Sequence, residues 1–130
     1  MTAIPPDLRY SKEHEWVRVE GGMAVVGITD YAQKELGDIV FVETPAAGKK
    51  VSRAGTLGTV ESVKAASDIY SPVSGTVEAA NAALSDDPSV INRDPYGEGW
   101  VAKIRMDDPS EVSGLLDAEG YRKLTESAKK

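Results

Sequence analysis

One lysine stands out in the stretch ESVKAASDIYSP, which spans residues 61–72. Lys64 separates two β-prone segments, so the pattern places it at the tip of a hairpin. A primary amine on a long flexible stem, held out on a rigid protrusion, suits covalent attachment of a mobile arm that separate enzymes must reach. The small side chains at 65–67 leave the approach open, and Val63 and Ile69 are expected to anchor the two strands behind the amine.

Other kinds of chemistry have little support in the sequence. The chain contains no cysteine, which excludes disulfides, iron–sulfur clusters and a cysteine nucleophile. The single histidine, His14, has no recognisable nucleophile or orienting partner, and Glu13 and Glu15 beside it are too few oxygen ligands for a metal site. No phosphate-binding glycine pattern follows a strand, and no serine lies in a G-x-S-x-G elbow. Taken alone, however, an exposed lysine is usually only a solvating charge.

The composition is that of an ordinary soluble domain. The chain has 130 residues, of which 41% are hydrophobic and 28% charged, and no window approaches the length of a membrane span. Its beginning lacks a targeting pattern, so we expect it in the cytoplasm. The formal net charge of -6 argues against nucleic-acid binding and favours basic patches on protein partners. We expect a monomer.

The segments that must position Lys64 predict many short strands. EWVRVEGGMAVVGIT predicts a hairpin that turns at Gly21-Gly22. Asp30 is expected to cap a short helix that ends at Gly37, and DIVFVETP is expected to form a buried strand. TLGTVESV, SDIYS, GTVEAAN and WVAKIRM predict further strands, with a turn-rich connection before the last. The tail predicts a helix with Asp117 as its cap. This pattern indicates a mainly β sandwich or flattened barrel.

Four separated motifs together point to one protein family. GTVESVKAASDIYSPVSGTVEAAN, with EHEWV, VGITDYAQKELGDIVFVETP and NRDPYGEGW, resembles the H-protein family of the glycine cleavage system over about residues 8–106. The resemblance implies a barrel-sandwich hybrid, the fold of lipoyl and biotinyl carrier domains, with short helices and a C-terminal helix. It also implies one lipoyl-carrier domain over 1–130, with a core of about 8–106 and a helical extension at 107–130.

The resemblance implies a carrier protein, not an enzyme. A lipoate-attaching enzyme would link lipoic acid to Lys64 as an amide. The arm would then accept the aminomethyl group of glycine from glycine decarboxylase, a pyridoxal-phosphate enzyme, and deliver it to an aminomethyltransferase that uses tetrahydrofolate. Dihydrolipoyl dehydrogenase would reoxidise the dithiol. The absence of cysteine agrees with a cofactor that brings its own sulfur atoms.

The same resemblance places Glu15 and Asp68 near a cleft in which the loaded arm is parked. There a carboxylate could accept hydrogen bonds from the cationic amine of the arm. The alternative for each is an ordinary solvated carboxylate. Thr59 and Thr76 depart from the family's common pattern, which bears on partner affinity and leaves the attachment site intact.

Three other readings remain open at this point. A biotin carrier usually flanks its lysine with methionines, whereas Val63 and Ala65 are the neighbours here. A lipoyl domain of a 2-oxoacid dehydrogenase commonly has an aspartate before the lysine. The third reading is an interaction domain with a bare lysine, or a relative that relays lipoyl groups to other proteins.

Overall fold

The computed structural model describes residues 3–128 and is mainly β, as the sequence predicts. The six-stranded antiparallel sheet contains, in spatial order, β1 (Arg9–Tyr10), β2 (Glu15–Glu20), β3 (Met23–Ile28), β9 (Ala102–Met106), β8 (Gly75–Ala80) and β5 (Lys50–Val51). The three-stranded sheet contains β4 (Ile39–Glu43), β6 (Thr56–Ser62) and β7 (Ala66–Tyr70). Positions 1–2 and 129–130 of the predicted domain lie outside the described residues.

Helices are short and lie between or after the strands. They are α1 (Asp30–Leu36), α2 (Ala83–Asp86), α3 (Val90–Arg93), a 3₁₀ helix (Pro109–Gly114) and α4 (Ala118–Ala128). Asp117 accepts a hydrogen bond from the Gly120 amide at 2.8 Å, so the predicted cap of the last helix is confirmed. No helix within residues 3–128 is long and apolar enough to cross a membrane.

The main core lies between the two sheets. Val17 and Val26 from the six-stranded sheet pack in one cluster with Val42, Val60 and Ile69 from the three-stranded sheet. Because side chains alternate along a strand, Glu15 shares the inner face of β2 with Val17. A carboxylate therefore stands at the end of an otherwise apolar row.

A second cluster covers the opposite face of β2. Trp16 is fully buried there, and its indole N–H donates to the Pro95 carbonyl at 2.9 Å. A methyl group at Gly27 on β3 would come within 2.7 Å of the indole ring, so only glycine leaves room for the tryptophan. Tyr96 and Trp100 pack against this cluster and cover it from outside. The first half of β2, residues 15–17, is thus buried on both faces.

The last helix closes the second cluster. Tyr121 of α4 is fully buried and stacks on Tyr10 with 4.6 Å between ring centroids. Its hydroxyl lies 2.7 Å from Thr29 Oγ1 and 2.8 Å from His14 Nδ1. The C-terminal segment is therefore tied to β1 and to the start of α1 by packing and by polar contacts.

The prediction that Asp30 caps the first helix is wrong by one residue. Thr29 has an extended backbone and accepts the Ala32 amide at 3.1 Å, which is the geometry of an N-cap. Asp30 is the first helical residue, and its carboxylate accepts instead from the side-chain amide of Gln33 at 2.7 Å. Gly37 ends the helix at a φ of 82°, as predicted.

The segment expected to be a buried strand is only half buried. Ile39 and Val42 point into the core, whereas Val40 and Phe41 are exposed. The cause is a register shift between Ile39 and Phe41, where one extra residue stands opposite β6. This irregularity turns two consecutive apolar side chains away from the core.

Gly75 provides a test of the packing between β8 and its neighbours. A methyl group at this position would overlap the Arg105 carbonyl oxygen and come within 2.8 Å of Ile104 Cγ2. We predict that Gly75→Ala lowers the free energy of unfolding by about 2–3 kcal/mol in urea denaturation, because backbone cannot yield as a flexible side chain would. The control is Gly22→Ala, where the added methyl group would have no described atom within 4 Å apart from its chain neighbours. Equal stability of the two variants would contradict this account.

Candidate functional site

Lys64 lies at the tip of the β6–β7 hairpin, as predicted. The strands pair up to Glu61 and Ala66, and the Ser62 hydroxyl accepts hydrogen bonds from the amides of Lys64 and Ala65, both at 3.1 Å. The Val63 amide donates to the Asp38 carbonyl at 3.1 Å, which fastens the tip to the loop after α1. The backbone that presents the lysine is therefore fixed on both sides.

The side chain of Lys64 is exposed and has no hydrogen bond or ion pair within residues 3–128. Its aliphatic stem lies beside Gly37, where an added methyl group would be 3.3 Å from Lys64 Cδ. Ile69 is buried and anchors the hairpin, as expected. The expectation for Val63 is wrong, since its side chain is 68% exposed. Val63 stands at the tip, outside both core clusters of the described residues, so the core does not bury it.

A cleft of about 250 Å³ opens at the other end of β7. Its walls come from three parts of the chain, namely the β1–β2 connection with the start of β2, the segments before β6 and after β7, and the residues that follow the 3₁₀ helix. The lining residues are Tyr10, Ser11, Lys12, Glu13, Glu15, Arg53, Ala54, Tyr70, Ser71, Pro72, Gly114, Leu115 and Leu116.

Glu15 is the buried acid of this cleft, with a relative exposure of 2%. The Ser11 hydroxyl donates to Glu15 Oε1 at 2.5 Å, and the Tyr70 amide donates to Glu15 Oε2 at 3.1 Å. The Glu15 amide in turn donates to Ser11 Oγ at 3.0 Å. The carboxyl group therefore joins β2 of one sheet to β7 of the other.

Burial raises the pKa of Glu15 to about 7, because the charged form is poorly solvated there. The hydrogen bonds from Ser11 and Tyr70 act in the opposite direction, since both favour the ionised carboxylate. The result is an acid that titrates near neutral pH. A cation entering the cleft would favour its ionised form.

Asp68 lies between the cleft and the lysine. It is exposed, pairs across the ladder with Thr59, and is not among the residues that line the cleft. Alternation along β7 puts Ala66, Asp68 and Tyr70 on one face of the strand. This face forms a path of about 13 Å from the tip to the cleft, at roughly 3.3 Å per residue. Glu15 thus lines the cleft, whereas Asp68 lies outside it, on the strand face between the cleft and the tip.

The C-terminal segment supplies one wall of the cleft. Backbone hydrogen bonds of 2.8 Å join Tyr10 and Leu116 in both directions. Glu111 of the 3₁₀ helix accepts from the amide of Ser74 at 2.7 Å and from its hydroxyl at 3.0 Å, and Ser74 Oγ accepts from the Arg53 amide at 2.9 Å. Both sides of the cleft mouth are therefore held through Ser74.

Several cleft residues could not be found from the sequence. Ser11 and Tyr70 contact Glu15 from segments 4 and 55 positions away in the chain. The wall at Leu115 and Leu116 comes from a tail whose composition indicates only a helix. The spacing of these residues carries no signal, because the cleft arises where separate segments meet.

His14 has a structural position rather than a place in the cleft. It packs against Tyr31 with 4.8 Å between ring centroids, and burial lowers the pKa of its imidazole. Within the described residues, no group of three or more His, Cys, Asp or Glu side chains is arranged to hold a metal ion.

Comparison with known proteins decides the family. The family model described as glycine cleavage H-protein matches residues 8–128. The chain belongs to the glycine cleavage H-protein family. This confirms the resemblance recognised in the sequence, and the matched region extends beyond residue 106 to include the segment that forms the cleft wall.

Individual H-proteins are similar over almost the whole chain. The glycine cleavage system H protein of Carboxydothermus hydrogenoformans is 50% identical, with 97% of each chain covered. That of Alteromonas mediterranea is 57% identical over 93% of this chain and 95% of its own. The crystal structure of a glycine cleavage system H protein from Mycobacterium marinum is 40% identical with a TM-score of 0.87, covering 95% of this chain and 99% of that one. The barrel-sandwich hybrid fold is thereby confirmed.

The buried acid of this H-protein family member predicts a pH-dependent stability. Since folding raises the pKa of Glu15 from an ordinary 4.5 to about 7, its contribution is fully present below pH 4.5 and is lost as the pH rises through 7. We predict that wild type loses about 3 kcal/mol relative to Glu15→Gln between pH 4 and pH 8. Urea denaturation of both proteins across this range measures the difference, in which other titrating groups cancel. A difference that does not change with pH would contradict the assignment.

Proposed function

We propose that this chain is the lipoyl carrier of a glycine cleavage system, with the lipoyl group attached to Lys64. The observation that carries the proposal is an exposed amine at a braced hairpin tip, connected by one strand face to a cleft that holds a buried acid. Membership of the glycine cleavage H-protein family supports the same role. An amine tied down by an ion pair, or a tip without a cleft, would not fit it.

The residues at the hairpin tip and in the cleft fit a lipoyl group. When bound, the lipoyl group supplies sulfur chemistry that accepts the one-carbon fragment of glycine. Lys64 provides the attachment point, and the face of β7 with Ala66 and Asp68 leads from it to the cleft. Leu115 and Leu116 offer apolar wall there, which limits the access of water.

Glu15 is proposed to hold the amine end of the cargo. A buried carboxylate oriented by Ser11 and Tyr70 can accept charge-assisted hydrogen bonds from a cationic amine without first reorganising. Because the pKa of Glu15 is about 7, retention of a cation should strengthen as the pH rises through neutrality. Asp68 is exposed, so its attraction for the same cation is weakened by solvent.

The proposed partners follow from the role of a carrier. Glycine decarboxylase, an aminomethyltransferase and dihydrolipoyl dehydrogenase would act on the arm in turn, after a lipoate-attaching enzyme has joined it to Lys64. The carrier is then a substrate of these enzymes and catalyses no step itself. We also propose that the protein acts in the cytoplasm, in keeping with its bacterial relatives, and that it is a monomer.

The attachment is tested by intact mass. We expect protein made in lipoate-replete cells to carry the added mass of one lipoyl amide and Lys64→Arg to carry none, because arginine offers no acylatable amine. Peptide mapping should place the group on Lys64. An unmodified wild type, or a biotinyl mass, would refute the proposal. Reconstitution with decarboxylase and aminomethyltransferase then separates glycine cleavage from a lipoyl relay.

The role of the cleft is tested by how long the loaded carrier survives. We predict that Glu15→Gln shortens the half-life of the carried one-carbon unit about tenfold at pH 8, since it removes a buried charge partner of the amine. Asp68→Asn should have a smaller effect. Glu126→Gln, at an exposed position on α4, is the control. Mass spectrometry over time measures the decay. Equal half-lives for wild type and the three variants would contradict the proposed role of the cleft.

A further inference from the structure

Exposed apolar side chains are concentrated at the lysine tip. Among residues 3–128, four large hydrophobic side chains are strongly exposed, namely Val19, Val40, Phe41 and Val63. Val40 and Phe41 lie on the irregular part of β4, and Val63 directly precedes the lysine. We call Val40, Phe41 and Val63 the tip patch. Only Val19, at 49% exposure, lies elsewhere, on β2.

The structure places the three residues of the tip patch together. Ile39 pairs with Ser62 and Phe41 with Glu61, so the extra residue Val40 stands opposite the last step of β6. Directly paired side chains in an antiparallel ladder are about 5 Å apart. The Val63 amide reaches the carbonyl of Asp38, the residue just before β4. The register shift and this hydrogen bond therefore bring all three side chains to one end of the sheet.

The charged side chains on the three strands that lead to the tip patch are all acidic. Strands β4, β6 and β7 contain Glu43, Glu61 and Asp68 and have no Lys, Arg or His. The ladder aligns Glu43, Thr59 and Asp68 in one row, two rows from Phe41 and Glu61 and therefore on the same face of the sheet. A complementary surface would have an apolar centre and a basic rim.

Acylation of Lys64 requires a close approach of the attaching enzyme. The amine must come within about 3–3.5 Å of the acyl carbon, so enzyme atoms must lie within one lysine side chain of the tip backbone. Once the longer arm is attached, other enzymes can receive its end at a greater distance. An enzyme that acts on bare Lys64 is therefore the partner that must cover the adjacent residues.

We propose that the tip patch is the docking surface for the enzyme that acylates Lys64, and that this enzyme presents an apolar surface with a basic rim. The inference rests on the proposed lipoyl attachment. In that step the Lys64 nitrogen forms an amide bond with the carbonyl carbon of an activated acyl donor, such as an acyl adenylate. The bond to the activating group breaks, that group leaves with the bonding electrons, and the nitrogen loses a proton.

The size of the tip patch agrees with a transient enzyme–substrate contact. Stable protein interfaces bury about 1,200–2,000 Å² in total, which three side chains cannot provide. A small apolar centre beside the reacting amine is enough to orient it for one reaction and then allow release. This argues against a permanent dimer formed through the same surface.

The chain provides a matched set of variants. Val40→Thr/Val63→Thr replaces two exposed patch valines, and Val19→Thr makes the same change on an exposed valine away from the tip. Threonine keeps the β-branched shape, so all variants should fold, which thermal unfolding verifies. With a bacterial lipoate–protein ligase, lipoic acid and ATP, we expect kcat/KM of the double variant to fall about tenfold, through KM. Val19→Thr should match wild type.

A binding measurement separates docking from chemistry. In a Lys64→Arg background no acylation can occur, and the dissociation constant for the ligase should still rise about tenfold when both patch valines are replaced. Unchanged binding and unchanged kcat/KM would overturn the inference. Absence of acylation in wild type would instead refute the proposed function, so the two failures are distinguishable.

If a different partner binds the tip patch, the same variants give different results. If the double variant is acylated normally but, once lipoylated, fails with glycine decarboxylase, the surface serves the cleavage enzymes and the inference is wrong. If sedimentation shows a wild-type dimer that the double variant breaks, the surface joins two copies and the inference is again wrong. The expected result is a monomer whose lipoylated double variant transfers within about twofold of wild type.

Discussion

The antiparallel pairing of β6 with β7 is the constraint on which the site depends. Its register sets which residues form the tip, and it directs Asp68 and Tyr70 outward while Ile69 enters the core. A slip of one residue would exchange these faces, burying a carboxylate and exposing an apolar side chain. Burial of the Ile69 face therefore favours the native register. The register in turn determines the position of Lys64 and which face of β7 extends toward the cleft.

The cleft takes its properties from being a junction of separate segments. Glu15 lies in the part of β2 that is buried on both faces, so its carboxyl group loses water. It still accepts hydrogen bonds from two donors in neighbouring segments. Partial compensation of this kind leaves an acid able to change its charge near neutral pH. A fully solvated carboxylate would stay ionised, and one without donors would stay protonated. This intermediate environment suits the proposed binding and release of a cationic amine at Glu15.

The sequence predicts well what depends on local patterns. The hairpins, the tip position of Lys64 and the Asp117 cap follow from alternation and turn chemistry, and the separated motifs identify the family. Prediction from the sequence fails where the conformation of a residue depends on its tertiary contacts. Thr29 and Asp30 are both good caps, and only the backbone conformation selects the threonine. The exposure of Val40 follows from a register shift that composition does not encode. The cleft wall near Leu116 requires the path of the whole chain.

The backbone pair between Tyr10 and Leu116 also affects how the protein behaves in concentrated solution. Strand β1 is the outer strand of the large sheet, and an open outer strand invites another molecule to add its own strand there. Here the chain itself satisfies those backbone groups, and the strand on the opposite side, β5, has only two residues. The large sheet thus offers little template for intermolecular strand addition. The arrangement of its outer strands in this way protects the protein from polymerising through its own β-structure.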